Sequence, residues 1–190
     1  TVEMAKDGYA INGRSAITVE NTIPEASTVT FDSKGGSSVE AIRVEYGSTI
    51  TLPEAPTKEG YSFGGWFIDE TFTNKFTEST EVKGDITLYA KWTVNQYTIT
   101  YIVDGETYGK VETFDFGAAI VLRDQPSKVG YTFSGWDIVD FPANMPAEDL
   151  VISGSFTINK HTITFNSDGG SEVASITQDY GTAVEAPADP

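Results

Sequence analysis

Two stretches decide how this chain is read: EGYSFGGWFID, Glu59–Asp69, and VGYTFSGWDIV, Val129–Val139. Both spell Gly-Tyr-x-Phe-x-Gly-Trp. Three aromatics set among glycines suit either a sugar-stacking platform or the core of a small domain. Tyr61 and Phe63 share one face of a strand by alternation. Trp66 falls on the other face unless Gly64-Gly65 hosts a bulge that turns it back, and Ser134-Gly135 offers the same to Trp136. The expectation is therefore that Tyr61, Phe63, Trp66, Tyr131, Phe133 and Trp136 are core. Repeated units must each rebuild a core, whereas a specific ligand site has no need to recur. Trp66, Trp92 and Trp136 are the residues that would touch a ligand or a neighbouring unit if their faces stood open.

Working outward, the motif belongs to a longer repeat. TVTFDSKGGSSVEAIRVEYGSTITLPEAP from Thr28, TITYIVDGETYGKVETFDFGAAIVLRDQP from Thr98 and TITFNSDGGSEVASITQDYGTAVEAPADP from Thr162 superpose. Phe31, Tyr101 and Phe165 correspond, as do Tyr46-Gly47, Phe116-Gly117 and Tyr180-Gly181, and Pro56, Pro126 and Pro190. The first two copies close with DITLYAKW, ending at Trp92, and DLVISGSF, ending at Phe156. The second has a shorter loop before that closing strand. The resulting division is an N-terminal segment 1–27, a first unit 28–93, a second unit 94–158 and a front half 159–190. Residues 1–27 read as a tail from a preceding domain or a degenerate back half, since DGYAINGR spaces Gly8, Tyr9, Ile11 and Gly13 as the motif does. Were the half units at the two ends complementary, molecules could join head to tail.

Each unit reads as about four strands with hairpin turns at DSKGGS, VDGET and NSDGGS. Proline in LPEAPTKEG and LRDQPSKVG forbids a long helix there, and no segment keeps a helical apolar period. The fold expected is mainly β, tandem and small, with little helix. TVNQ and INK are expected to be short linkers that leave little slack.

The 190 residues carry 28 acidic and 12 basic side chains, a net charge of −16. Such a surface repels polyanions, so nucleic acid is not an expected partner. Cysteine is absent, which removes disulfides and thiolate chemistry. No apolar run reaches the roughly 20 residues that span a bilayer. No signal-like segment opens the chain, so an export signal is expected to lie outside it.

These units resemble the Listeria–Bacteroides repeat, the internalin B-repeat family. The residues that carry the likeness are TVTFDSKGG, the run from VEYGSTITLPEAP through EGYSFGGWFIDETFTNKF, and DITLYAKW. The second unit departs at VDGETYGK and at FPANMPAEDLVISGSF. The resemblance implies a β-grasp-like unit in tandem on secreted or cell-surface bacterial proteins, with no common catalytic site.

His161, the single histidine, sits at a unit boundary, and no Gly-x-Ser-x-Gly motif accompanies it. FNSDGGS and VDGET lack the Asp-x-Asp-x-Asp-Gly spacing of a calcium loop. Chance carboxylate pairs in so small a unit lack a deep cleft for glycoside hydrolysis. The lysines sit mostly in turns, against an isopeptide crosslink. The expectation is no enzyme, no metal and no cofactor: a stalk or spacer at the bacterial surface, with adhesion to a host or microbial protein as an added role. The alternative is carbohydrate binding through exposed aromatics.

Overall fold

A computed structural model describes residues 26–187. The expected back half in 1–27 lies almost wholly outside the described residues, as does Pro190. The residues form two compact units. Among the described residues, the first takes in those up to Thr57 together with Phe63–Trp92, and the second takes in Lys58–Ser62 and those from Thr93 onward.

In the first repeat the strands are β1 (Ser27–Asp32), β2 (Ile42–Val44), β3 (Tyr61–Phe67) and β4 (Ile86–Val94), in the order β2-β1-β4-β3. Alternation in STVTFD sends Ser27, Val29 and Phe31 inward and leaves Thr28 and Thr30 less covered. β1 runs antiparallel to β2 and parallel to β4, with Val29 beside Ile86 and Phe31 beside Leu88. A parallel pair needs a long crossover, and everything between β2 and β4 supplies it. Val29, Phe31, Ile50, Trp66, Phe76, Val82, Leu88 and Ala90 form the core.

The second repeat uses the same plan with more interruptions. Its strands are β5 (Gln96–Val103), β6 (Glu106–Thr107), β7 (Glu112–Asp115), β8 (Tyr131–Phe133), β9 (Leu150–Gly154) and β10 (Phe156–Ile158). β5 pairs antiparallel with β6 and β7 and parallel with β9, setting Tyr101 beside Ile152. Ile99, Tyr101, Ile120, Met145 and Ile152 are its buried core. The front half that follows is a hairpin of β11 (Lys160–Ile163) and β12 (Ile176–Asp179). No helix occurs among the described residues, and the chain is mainly β in tandem units.

Two expectations need correction. The strand-like SVEAIRVEYG contributes only Ile42–Val44 to the sheet. The linkers are shorter than TVNQ and INK: β4 continues to Val94 and β10 to Ile158, so one residue, Asn95 or Asn159, stands between consecutive strands. β-branched Thr93-Val94 and Thr157-Ile158 favour that continuation.

The turns match their chemistry. Lys34-Gly35, Asp104-Gly105 and Asp168-Gly169 all have positive φ, from 44° to 96°. Asp104-Gly105 is a two-residue hairpin between paired Val103 and Glu106, whereas the other two pairs make tight turns, closed by Gly36 N–H to Ser33 O and Gly170 N–H to Ser167 O, inside longer connections between strands.

Candidate functional site

The aromatic motif was the candidate site, and its residues have three different fates. Gly65 has φ of 114°, and both Trp66 and Phe67 beyond it are buried. Local backbone distortion thus turns Trp66 to the core side. Its ring meets Phe31 edge-on at 4.8 Å and Phe63 at 5.3 Å. At 1% exposure Trp66 offers no face to a ligand. Its indole Nε1 is buried with no hydrogen-bond partner.

Trp136 is only half-buried. It packs against the second core beside Tyr101 and Phe133, each at 5.0 Å. Its Nε1–H donates to the Arg123 carbonyl at 2.9 Å. Trp92 is half-buried as well, 5.5 Å from Phe63, and donates to the Ser33 carbonyl at 2.8 Å. Phe63 is half-buried against the first core, and Phe133, half-buried too, contacts Trp136.

Tyr61 and Tyr131 depart from the core expectation. Both are half-buried and pack on other partners. Tyr61 stands edge-on to Phe116 at 5.8 Å beneath the Lys58 ammonium at 4.6 Å. Tyr131 faces Phe156 at 6.4 Å beneath the Lys128 ammonium at 3.9 Å. They open their strands, one step past a positive-φ glycine, so they lie at the rim of the sheet.

A shallow cleft of about 410 Å³ opens beside Trp136, lined by Ser134, Gly135, Asp137, Ser153, Gly154 and Ser155. Its cause is a broken ladder. Ser134 Oγ accepts from the Ser155 N–H at 3.0 Å and Asp137 Oδ1 from the Ser153 N–H at 2.7 Å. Side chains there stand in for main-chain acceptors, and the counterpart of the nine-residue β4 is split into β9 and β10.

His161 is exposed on β11, its ring 6.1 Å from Tyr180. Among the described residues no group of three or more His, Cys, Asp or Glu is placed to hold a metal. No helix there is long and apolar enough to cross a membrane.

Several recurrent contacts escaped sequence reasoning. Asp85 Oδ1 accepts the Thr28 N–H at 2.7 Å, and Asp149 Oδ1 accepts the Thr98 N–H at 2.7 Å. Each pins the start of a repeat's first strand to its closing strand. Identical Asp at matched positions was the available signal. The aromatic-Gly turns are held by Val82 and Met145. Gly47 N–H donates to Val82 O at 2.7 Å and Gly117 N–H to Met145 O at 2.9 Å, with a return bond in each case. The shortened loop hid that equivalence.

Recurring sheets, cores and staples define a protein of tandem small β repeats. The chain belongs to the Listeria-Bacteroides repeat domain family, whose model matches residues 28–91, 97–142 and 161–190. A protein of Evansella cellulosilytica named as a membrane protein is 34% identical over 171 residues, covering 86% of this chain and 26% of that protein. Internalin H of Listeria monocytogenes is 35% identical over 173 residues, covering 81% of this chain and 31% of that protein. The chain thus spans about a third or less of the curated relatives it matches. Among solved structures, Streptococcal High Identity Repeats in Tandem domains 3-4 from a cell surface protein align at 16% identity and a TM-score of 0.32. That alignment covers 71% of this chain and 98% of that one.

Proposed function

We propose that this chain is a non-catalytic segment of a bacterial cell-surface or secreted protein that spaces and displays neighbouring modules. The observation that carries this reading is the inward turn of Trp66 within a unit that recurs. The motif's largest aromatic is spent on rebuilding a core, as a repeat must do and a binding platform need not. Family membership and the likeness to internalin H support the surface location. The central parallel pair β1/β4 supports the β-grasp-like description. A net charge of −16 suits display, because it keeps an exposed segment soluble.

The test is reach. An epitope displayed on a bacterial surface through none, one or two copies of this segment should become accessible to progressively larger antibody probes. Accessibility that ignores copy number would remove the spacer reading.

Carbohydrate binding is kept as a second reading because the cleft beside half-buried Trp136 pairs an indole with polar walls. A glycan array read alongside Trp fluorescence decides it: no sugar bound and no change in emission ends that reading. Adhesion to a host or microbial protein is tested by pull-down with the isolated repeats.

A further inference from the structure

Asn95 and Asn159 make the same three hydrogen bonds. The Asn95 N–H donates to Gly60 O at 2.9 Å, its carbonyl accepts the Phe116 N–H at 2.8 Å, and its Oδ1 accepts the Ser62 hydroxyl at 2.6 Å. The Asn159 N–H donates to Gly130 O at 2.8 Å, its carbonyl accepts the Tyr180 N–H at 2.8 Å, and its Oδ1 accepts the Thr132 hydroxyl at 2.6 Å. All these groups lie within the second compact unit, which includes Lys58–Ser62.

The glycine in each set is fixed twice over. Gly60 and Gly130 have φ of 74° and 79°, a region that penalises any side chain. A Cβ at Gly60 would stand 2.1 Å from the Phe116 ring, and one at Gly130 would stand 1.9 Å from the Tyr180 ring. The ring therefore lies directly on bare glycine backbone.

We infer that the Gly-Tyr turn of a repeat is a docking socket for the next repeat. The occupant is the aromatic of that repeat's aromatic-Gly turn, and the single asparagine between them is the keystone. A slack tether gives no reason for one residue to use its N–H, carbonyl and side-chain oxygen at once. It gives still less reason for the set to recur with lengths matched to about a tenth of an ångström. Side-chain-to-backbone bonds of this kind fix local geometry, and a one-residue connection leaves few torsions to absorb motion. The sequence rule is Val/Ile-Asn before the first strand, Gly-Tyr-Ser/Thr in the preceding repeat, and Phe/Tyr-Gly in the following one. A partner obeying it is another copy of this repeat.

This deepens the spacer reading and rests on it for biological use, because docked repeats set a defined length where tethered ones do not. The test lies within the second unit. The chain has no cysteine, so spin labels at Val151→Cys and Val184→Cys, both exposed positions, report the distance across Asn159 cleanly. A control pair at Val121→Cys and Val151→Cys stays within the second repeat. The expected result is a narrow 151–184 distribution that is lost in Asn159→Ala and in Gly130→Ala while the 121–151 distribution holds. Should Gly130→Ala disturb the control pair, Thr132→Val decides, since it removes one exposed hydroxyl and leaves the core intact. An already broad 151–184 distribution in the parent chain, or an unchanged one in all three variants, overturns the socket. Either outcome leaves the spacer reading to its own reach test, because flexibly tethered units also space.

Discussion

Trp92 lies over Gly36. Its indole N–H donates to the Ser33 carbonyl at 2.8 Å, and a Cβ on Gly36 would stand 2.5 Å from the ring's Cζ2. The closing strand of the first repeat thus depends on its first turn. In the second repeat both partners change together. Phe156 replaces the tryptophan, and the two-residue turn Asp104-Gly105 replaces the Gly-Gly turn. Asp104 Oδ1 accepts the Phe156 N–H at 2.8 Å, so the contact between turn and closing strand survives by other means. Two departures that look separate in the sequence are one structural exchange.

Gly36→Ala should therefore destabilise the first repeat by about 1–3 kcal/mol, the usual range for overpacking a filled site. Backbone stands on the far side as well, with Thr57 O at 3.0 Å from the added carbon, so the ring cannot simply be exchanged for empty space. Trp92→Phe should cost about 1 kcal/mol from the lost hydrogen bond. In the Trp92→Phe background Gly36→Ala should be cheaper, a coupling that a double-mutant cycle in urea reads directly. Additive effects would show that ring and turn are independent.

Asp85 and Asp149 should be interchangeable in effect. Each accepts one main-chain N–H at the head of its repeat's first strand, a charge-assisted bond at an exposed position. Replacing either by Ala should lower stability by about 1–2 kcal/mol. Asn at the same place should cost less, because its amide oxygen still accepts. Hydrogen exchange at Thr28 and Thr98 checks the cause: protection of Thr28 should fall in Asp85→Ala alone, and that of Thr98 in Asp149→Ala alone.

The repeat, the turns and the inward Trp66 were legible because each is a local pattern that recurs. Gly64-Gly65 was enough to foresee a local distortion that turns Trp66 inward. That Tyr61 packs on Phe116 and not in the core was not legible from alternation. Tyr61 shares its strand face with Phe63 but stands at the strand's first residue, where the core has ended and Phe116 is the neighbour. Linker length was overread because Thr93-Val94 and Thr157-Ile158 carry no break signal, and strand pairing runs on through them. The Trp92–Gly36 contact joins residues far apart in the chain. Its trace in the sequence was the paired loss of both features in the second unit.

The three tryptophans should separate by solvent access. With Trp92→Phe and Trp136→Phe combined, the remaining Trp66 is 1% exposed and should emit at shorter wavelength and resist acrylamide. With Trp66→Phe and Trp92→Phe combined, half-buried Trp136 should be quenched several-fold more readily, because the cleft beside it admits a small solute. Quenching of Trp66 as ready as that of a free indole would mean that it is open in solution, and the core reading of the motif would fail with it.

Acid should test the loop after β3. The Thr71 hydroxyl foremost, then the main-chain N–H groups of Thr73 at 3.1 Å and Asn74 at 2.8 Å, donate to the Asp69 carboxylate and hold it well below the usual carboxylate range. A folded value below the unfolded one stabilises the fold above the unfolded value of about 4, and that contribution drains away as pH falls through and beneath it. Unfolding followed from pH 6 down to pH 2 should therefore show a loss of stability that Asp69→Asn reduces, since the amide neither gains a proton nor loses a charge over that range. Relief of repulsion among the many other carboxylates acts in the opposite direction in both proteins and cancels in their difference. A wild-type-minus-variant difference that stays flat with pH would show that the Asp69 bonds do not persist in solution.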